Sequence, residues 1–271
     1  MSKVQSAIEA AKARALRSPT SRSGIYRKPA VGKGAEFAAP VKLENDETLY
    51  LDAKRMERAC LLPFVADKGA TSAYNLLRTR VLQRMRENAW TSMMVTSTLP
   101  NDGKTTTAIN LAIGVSQDVS QNVLLVDLDL GRPAIARSLG VRAQHGLSDY
   151  LRGSVNASDV IYRSDVDRLF LLPNFEPMPP TQSPVSPKMM ALLEHIKRLD
   201  PDMLVIFDMS PVLVSDAVLA FGPHVDALLL IVSEGRTNRT LLKRATQMIE
   251  NIPRVGTVLN RSTEGNAGGY Y

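Results

Sequence analysis

The chain has 271 residues, 44% of them hydrophobic, enough to bury one substantial core. Its single cysteine, Cys60, excludes an internal disulfide framework and a Cys-rich metal site, and three scattered histidines, His145, His195 and His224, leave little from which to build another. The formal charge of +6 is unevenly placed: residues 1–42 hold nine basic and two acidic side chains, and the remaining 24 basic and 25 acidic residues nearly cancel, which excludes a broad nucleic-acid face on the folded body.

Residues 1–45, rich in Ala, Ser, Pro, Gly, Lys and Arg, are expected to form a disordered basic tail, because they offer little apolar area to offset the entropy of ordering. Within it, Ile8 to Leu16 is a candidate basic helix for anionic lipid or a partner. Met1 to Lys12 lacks the apolar stretch of a signal peptide, and no run approaches the roughly 20 apolar residues that cross a bilayer, so a cytoplasmic protein is expected. A short helical segment is expected in Leu49 to Phe64, ending near Pro63. Ala73, Leu76, Leu77, Val81, Leu82 and Met85 then share one face of a longer helix that stops near Asn88.

Short apolar runs follow, each long enough for a buried strand: Met93 to Val95, Val123 to Val126, Leu169 to Leu172, Leu204 to Phe207, Ala227 to Val232 and Val255 to Leu259. Helix-length segments separate most of them, among them Thr105 to Gln117, Pro187 to Leu199 and Thr237 to Ile249. The alternation predicts an α/β domain over residues 46–262, with a mostly parallel sheet covered on both faces. Pro173 to Pro187, with six prolines in fifteen residues, reads as a surface loop, and residues 263–271 as a flexible Gly-rich tail ending in two tyrosines. Trp90, Met93 and Met94 read as packing residues.

The run Thr98-Leu99-Pro100-Asn101-Asp102-Gly103-Lys104-Thr105-Thr106 joins an expected strand to an expected helix, the context of a phosphate-binding loop. There, backbone amides and the helix N-terminus hold a β-phosphate, Lys104 bridges the terminal phosphates, and the Thr105 hydroxyl ligates magnesium. Thr98 stands where the general pattern has glycine. Two acidic strand ends strengthen the reading as a site for ATP and Mg2+. Asp127 and Asp129, two residues apart, are expected on one strand face, and Asp208 ends a second strand.

Together these residues resemble the bacterial tyrosine kinases of capsule and exopolysaccharide synthesis, P-loop proteins of the Min and Par branch, over roughly Leu49 to the C-terminus. Pro100, four residues before the lysine, matches the kinase version of the loop, and Leu99 stands where a partition ATPase would carry a second lysine. The family's second motif, Asp-x-Asp with an arginine and a proline, corresponds to Asp127-Leu128-Asp129-Leu130-Gly131-Arg132-Pro133, with Gly131 at the usual arginine and Arg132 as its substitute. The third, Asp-x-Pro-Pro, corresponds to Asp208-Met209-Ser210-Pro211. Asn260 is similar to the asparagine that contacts adenine in this branch. The family's subunit-contact segment is matched in Ser72 to Thr79 only at Arg78, which leaves a homo-oligomer open.

The resemblance implies an ATP-dependent tyrosine autokinase regulating polysaccharide polymerisation and export. Lys104, Asp127, Asp129, Arg132 and Asp208 would be catalytic, and Pro100 to Thr106 with Asn260 would bind nucleotide. Thr105, Asp129 and Asp208 would hold magnesium, and Tyr270 and Tyr271 would accept phosphate from a neighbouring subunit. It also implies an inner-membrane chain-length regulator as activating partner and a location at the inner face of the cell membrane, where the basic tail would contact lipid. Gly131, Ser210 and the departures in Ser72 to Thr79 keep open an alternative, a degenerate ATPase that regulates the same machinery by nucleotide binding. A Min- or Par-like positioning ATPase is the third reading.

Overall fold

A computed structural model describes residues 41–262 apart from 66, 119–120 and 180–182; the basic tail up to residue 40, its candidate helix and the two C-terminal tyrosines lie outside the described residues. Eight strands form one sheet: β1 (Thr48–Leu49), β2 (Ser92–Ser97), β3 (Val123–Asp127), β4 (Tyr162–Ser164), β5 (Leu169–Leu172), β6 (Leu204–Asp208), β7 (Ala227–Ser233) and β8 (Arg254–Asn260). Their spatial order is β1-β4-β5-β3-β6-β2-β7-β8, and every neighbouring pair is parallel except β4 with β5.

The central strands form where expected because runs of Val, Ile and Leu suit strands covered on both faces, and β3, β6 and β7 are buried along their whole length. Their side chains alternate between two cores. Val95, Leu125, Ile206 and Ile231 enter one, with α1 (Ala53–Arg58), α2 (Lys68–Glu87), α3 (Lys104–Ser116) and α4 (Ile135–Leu139). Met94, Leu124, Phe207 and Leu230 enter the other, with α5 (Leu147–Arg152), α6 (Pro187–Leu199), α7 (Ala217–Phe221) and α8 (Arg239–Met248). Ser186 caps α6 by accepting from the Met189 amide at 3.1 Å, with Pro187 in the first turn, which fixes the start of that helix locally.

Helix α3 leaves the phosphate loop directly and is buried between the sheet and α2. Asn110, polar on this buried helix, accepts from the Leu62 amide at 2.7 Å and donates to the Cys60 carbonyl at 3.2 Å, tying the turn after α1 to α3. The buried Leu62 amide is thereby satisfied.

Four expectations need correction. Only Ala53–Arg58 of Leu49 to Phe64 is helical, and β1 precedes it, because Thr48 and Leu49 pair with Arg163 and Ser164 of β4 more than a hundred residues away. On α2 the buried positions are Val81, Leu82 and Met85, whereas Ala73 and Leu76 face solvent. This 20-residue helix outruns the 13-residue α3 on which it packs, so its first half finds less cover. The expected tail of residues 1–45 is too long at its inner end: Val41 is buried in the second core and its carbonyl accepts from the Arg163 guanidinium. Finally, β3 stops at Asp127, so Asp129 lies on the turn beyond it and the two carboxylates do not share a strand face.

Candidate nucleotide site

The carboxyl ends of β2, β3, β6 and β7 meet around Lys104, as the crevice rule for open parallel sheets requires. The loop from β2 into α3 is shaped from within. Asp102 is fully buried and turns inward, accepting from the Thr98 hydroxyl at 2.7 Å and the Leu99 amide at 2.9 Å. Thr98, at the usual glycine position, is thus part of a staple, and its hydroxyl shares a second hydrogen bond of 2.7 Å with Thr237. Arg236 donates to the Pro100 carbonyl at 2.9 Å and lies 3.7 Å from Asp102, so the turn between β7 and α8 clamps the loop from outside.

Asn101 and Gly103 take left-handed backbone angles, φ 64° and 98°. Gly103 is required for a second reason: a Cβ there would stand 2.1 Å from Asn260 Nδ2. Asn260, at the end of β8, donates to the Asp102 carbonyl at 2.8 Å and braces the loop from below.

Lys104 closes the centre. Its Nζ is 2.8 Å from Asp129 Oδ2, 3.3 Å from Asp208 Oδ1 and 3.2 Å from the Thr105 hydroxyl, to which it donates. Thr105 in turn donates to Asp208 Oδ2 at 2.6 Å. Burial alone would pull the lysine's proton affinity down, but Asp208 and Asp129 outweigh it and hold Lys104 above its ordinary value. Burial likewise raises Asp208, against the opposing pull of Lys104. Asp127 is pushed up to about 8 by burial and by the charge of Asp208, although the amides of Ala134 and Ile135 both donate to its Oδ2 at 2.9 Å. Its Oδ1 is buried without a hydrogen-bond partner.

A cleft of about 920 Å³ opens over this cluster, lined by Lys104, Thr105, Asp129, Arg132, Ser210 and Arg261 on its polar side and by Met178 and Val214 on its apolar side. Pro100, Asn101, Gly103 and Thr106 also face it, whereas Asp127, Asp208, Asp102 and Asn260 lie behind its wall. The donor set is all oxygen, two carboxylates and a hydroxyl beside a lysine, which suits a hard cation shared with phosphate oxygens and water. Among the described residues no group of three or more acidic, His or Cys side chains is arranged to hold a metal ion.

Arg236, Thr237 and Arg261 were not singled out from the sequence. Their signal was position: Arg236 and Thr237 follow the end of β7, beside the strand that carries the loop, and Arg261 follows the end of β8, one strand further out.

No family model matches the chain. The tyrosine-protein kinase YwqD of Bacillus subtilis is 28% identical over 223 residues, covering 80% of this chain and 92% of that one. The tyrosine-protein kinase Etk of Escherichia coli is 30% identical over 211 residues, 73% of this chain and 28% of Etk. Among solved structures, the VpsO kinase domain superposes with a TM-score of 0.61 at 26% identity, covering 72% of this chain and 96% of that one. Over most of its length the chain is similar to bacterial tyrosine kinases. The chain brings Lys104, Thr105, Asp127, Asp129 and Asp208 together in space, with Gly131 and Ser210 on the wall of the same cleft.

Proposed function

We propose that the protein is an ATP-dependent protein-tyrosine kinase that phosphorylates its own chain, with Tyr270 and Tyr271 as acceptors, and that it regulates polysaccharide polymerisation and export. The observation that carries the reading is the convergence of Lys104, Thr105, Asp129 and Asp208 at one cleft, in a chain related to tyrosine kinases over most of its length. The phenolic oxygen attacks the γ-phosphorus, the bond to ADP breaks, and catalysis rests on positioning and charge. Lys104 and Arg132, on the cleft wall, neutralise the transferring phosphoryl group. Magnesium held by Thr105, Asp129 and Asp208 would supply further neutralising charge on the β- and γ-phosphates. Asp127, expected to take the phenolic proton, is instead assigned a structural part: buried behind the cleft wall, it accepts from the amides of Ala134 and Ile135 and shapes the turn that carries Asp129 and Arg132, while the phenolic proton passes to solvent in the open cleft. The loop residues Pro100 to Thr106 cradle the phosphates; Asn260, expected at the adenine end, sits beneath the loop with Nδ2 donating to the Asp102 carbonyl and Oδ1 accepting from the Arg261 amide, and is assigned to bracing the loop.

The partner proposed from the family is an inner-membrane chain-length regulator, which would hold the protein at the membrane's inner face. Among the described residues no helix is long and apolar enough to cross a membrane, consistent with recruitment by a partner or by the basic tail. A second reading, a nucleotide-regulated switch without kinase activity, is favoured by Gly131, an open position with nothing within 4 Å of where a Cβ would stand, at the place of the family arginine.

Incubation of the purified protein with magnesium-ATP, followed by mass spectrometry of the C-terminal peptide, tests the choice. Phosphate on Tyr270 or Tyr271 that is absent in Lys104→Met supports the kinase. ATP binding without phosphotyrosine, alone and with a candidate activator domain, supports the switch.

A further inference from the structure

We infer that Ser210 is a positioning residue of the nucleotide site, holding Asp129 for magnesium-dependent binding when Lys104 turns to the phosphates. The inference rests on the nucleotide-binding reading above. At the position of a proline in the family pattern, Ser210 donates its hydroxyl proton to Asp129 Oδ1 at 2.7 Å. The direction of that bond is fixed, since a carboxylate only accepts. Ser210 is itself held: its carbonyl accepts from the Thr96 hydroxyl of β2 at 2.7 Å, and Pro211 follows it.

Asp129 needs such a hold. The β3–β6 ladder ends at Asp127 with Asp208, and the last backbone bond across it runs from the Leu128 amide to the Asp208 carbonyl at 2.9 Å. Beyond that point the side chain of Asp129 has two partners, Lys104 on Oδ2 and Ser210 on Oδ1. Lys104 is the residue that a terminal phosphate recruits. Once it moves, the serine is what keeps Oδ2 turned into the cleft. A proline at 210 would have no proton to give, so this departure from the family pattern is a built contact.

The test uses the full-length chain and a fluorescent ADP analogue, with affinity measured in EDTA and across a magnesium titration. For Ser210→Ala, affinity in EDTA should stay within about twofold of wild type, while the magnesium concentration giving half-maximal tightening should rise about tenfold or more, the scale of losing an outer contact to a metal ligand. Ser210→Thr, which keeps the hydroxyl, should restore the wild-type midpoint. An unchanged midpoint in Ser210→Ala, with or without a lowered melting temperature, would overturn the inference and leave the serine a loop contact only. Equal weakening in both buffers would overturn it too. A wild-type protein that binds no nucleotide in either buffer would instead sink the nucleotide reading and this inference with it.

Discussion

Replacing Gly103 by alanine tests the architecture of the phosphate loop in a way that separates backbone strain from collision. Two costs are expected. A left-handed angle at φ 98° costs an L-residue about 1–2 kcal/mol. The new methyl would stand 2.1 Å from Asn260 Nδ2, so Asn260 must swing away and give up its 2.8 Å bond to the Asp102 carbonyl, another ~1 kcal/mol. Gly103→Ala should therefore lose about 2–3 kcal/mol, combining the two contributions. In an Asn260→Ala background the bond is already gone and the space is open, so the same substitution should cost only the backbone part. Urea denaturation of wild type, both single variants and the double variant measures this, provided the m values agree. A coupling energy of about 1 kcal/mol is expected; one below about 0.5 kcal/mol, the range of independent sites, would refute the contact between the two positions.

The corrected face of α2 gives a second test: Leu82→Ala should cost about 2–4 kcal/mol by cavity formation, whereas Leu76→Ala should stay within about 0.5 kcal/mol, both read from denaturation midpoints. Stability against pH gives a third. Asp127 carries a folded value of about 8 against an unfolded value near 3.8, so the native state keeps a proton that the unfolded chain releases between them. The sign follows: its contribution is full below about 4 and is lost as pH rises toward about 8. Nucleotide-free wild type should lose stability across that window, and Asp127→Asn, which carries no titrating group, should show a flatter profile in denaturation curves recorded at each pH.

The central sheet was legible because β2, β3, β6 and β7 are buried on both faces and so appear as unbroken apolar runs. The loop was legible because Gly103, Lys104 and Thr105 are consecutive and sit between a strand and a helix. The edge was not. β1 has two residues and β4 three, and each exists through a partner distant in sequence, so neither has a pattern of its own. The short helices α4, α5 and α7 have five or six residues each, too few for periodicity to show. Asp127 and Asp129 were read as strand neighbours because the spacing suits a strand; the structure ends the strand between them and uses Asp127 to receive the first amides of α4. Ser210 could be seen in the sequence only as a departure, since its partner Asp129 is 81 residues away.

Lys104 links these residues into one electrostatic unit, with a consequence for how ligands enter. It is the cation that offsets Asp129 and Asp208, both buried, and its own charge is stabilised by them. A phosphate arriving alone would draw Lys104 away and leave two buried carboxylates uncompensated, a change that costs several kcal/mol when a buried pair is broken. A divalent cation arriving alone would meet an ammonium already in place. Each ligand removes the obstacle to the other, so nucleotide and magnesium should bind with positive coupling, and reciprocally. The affinity of wild type for ADP should be at least about tenfold weaker in EDTA than in magnesium, within the usual range of coupling between two ligands. In Lys104→Met the carboxylates lack their cation from the outset, so magnesium should bind the nucleotide-free variant more tightly than it binds wild type. Titration calorimetry reads both quantities, and equal ADP affinity in the two buffers would show that Lys104 reaches the phosphates without leaving its carboxylates.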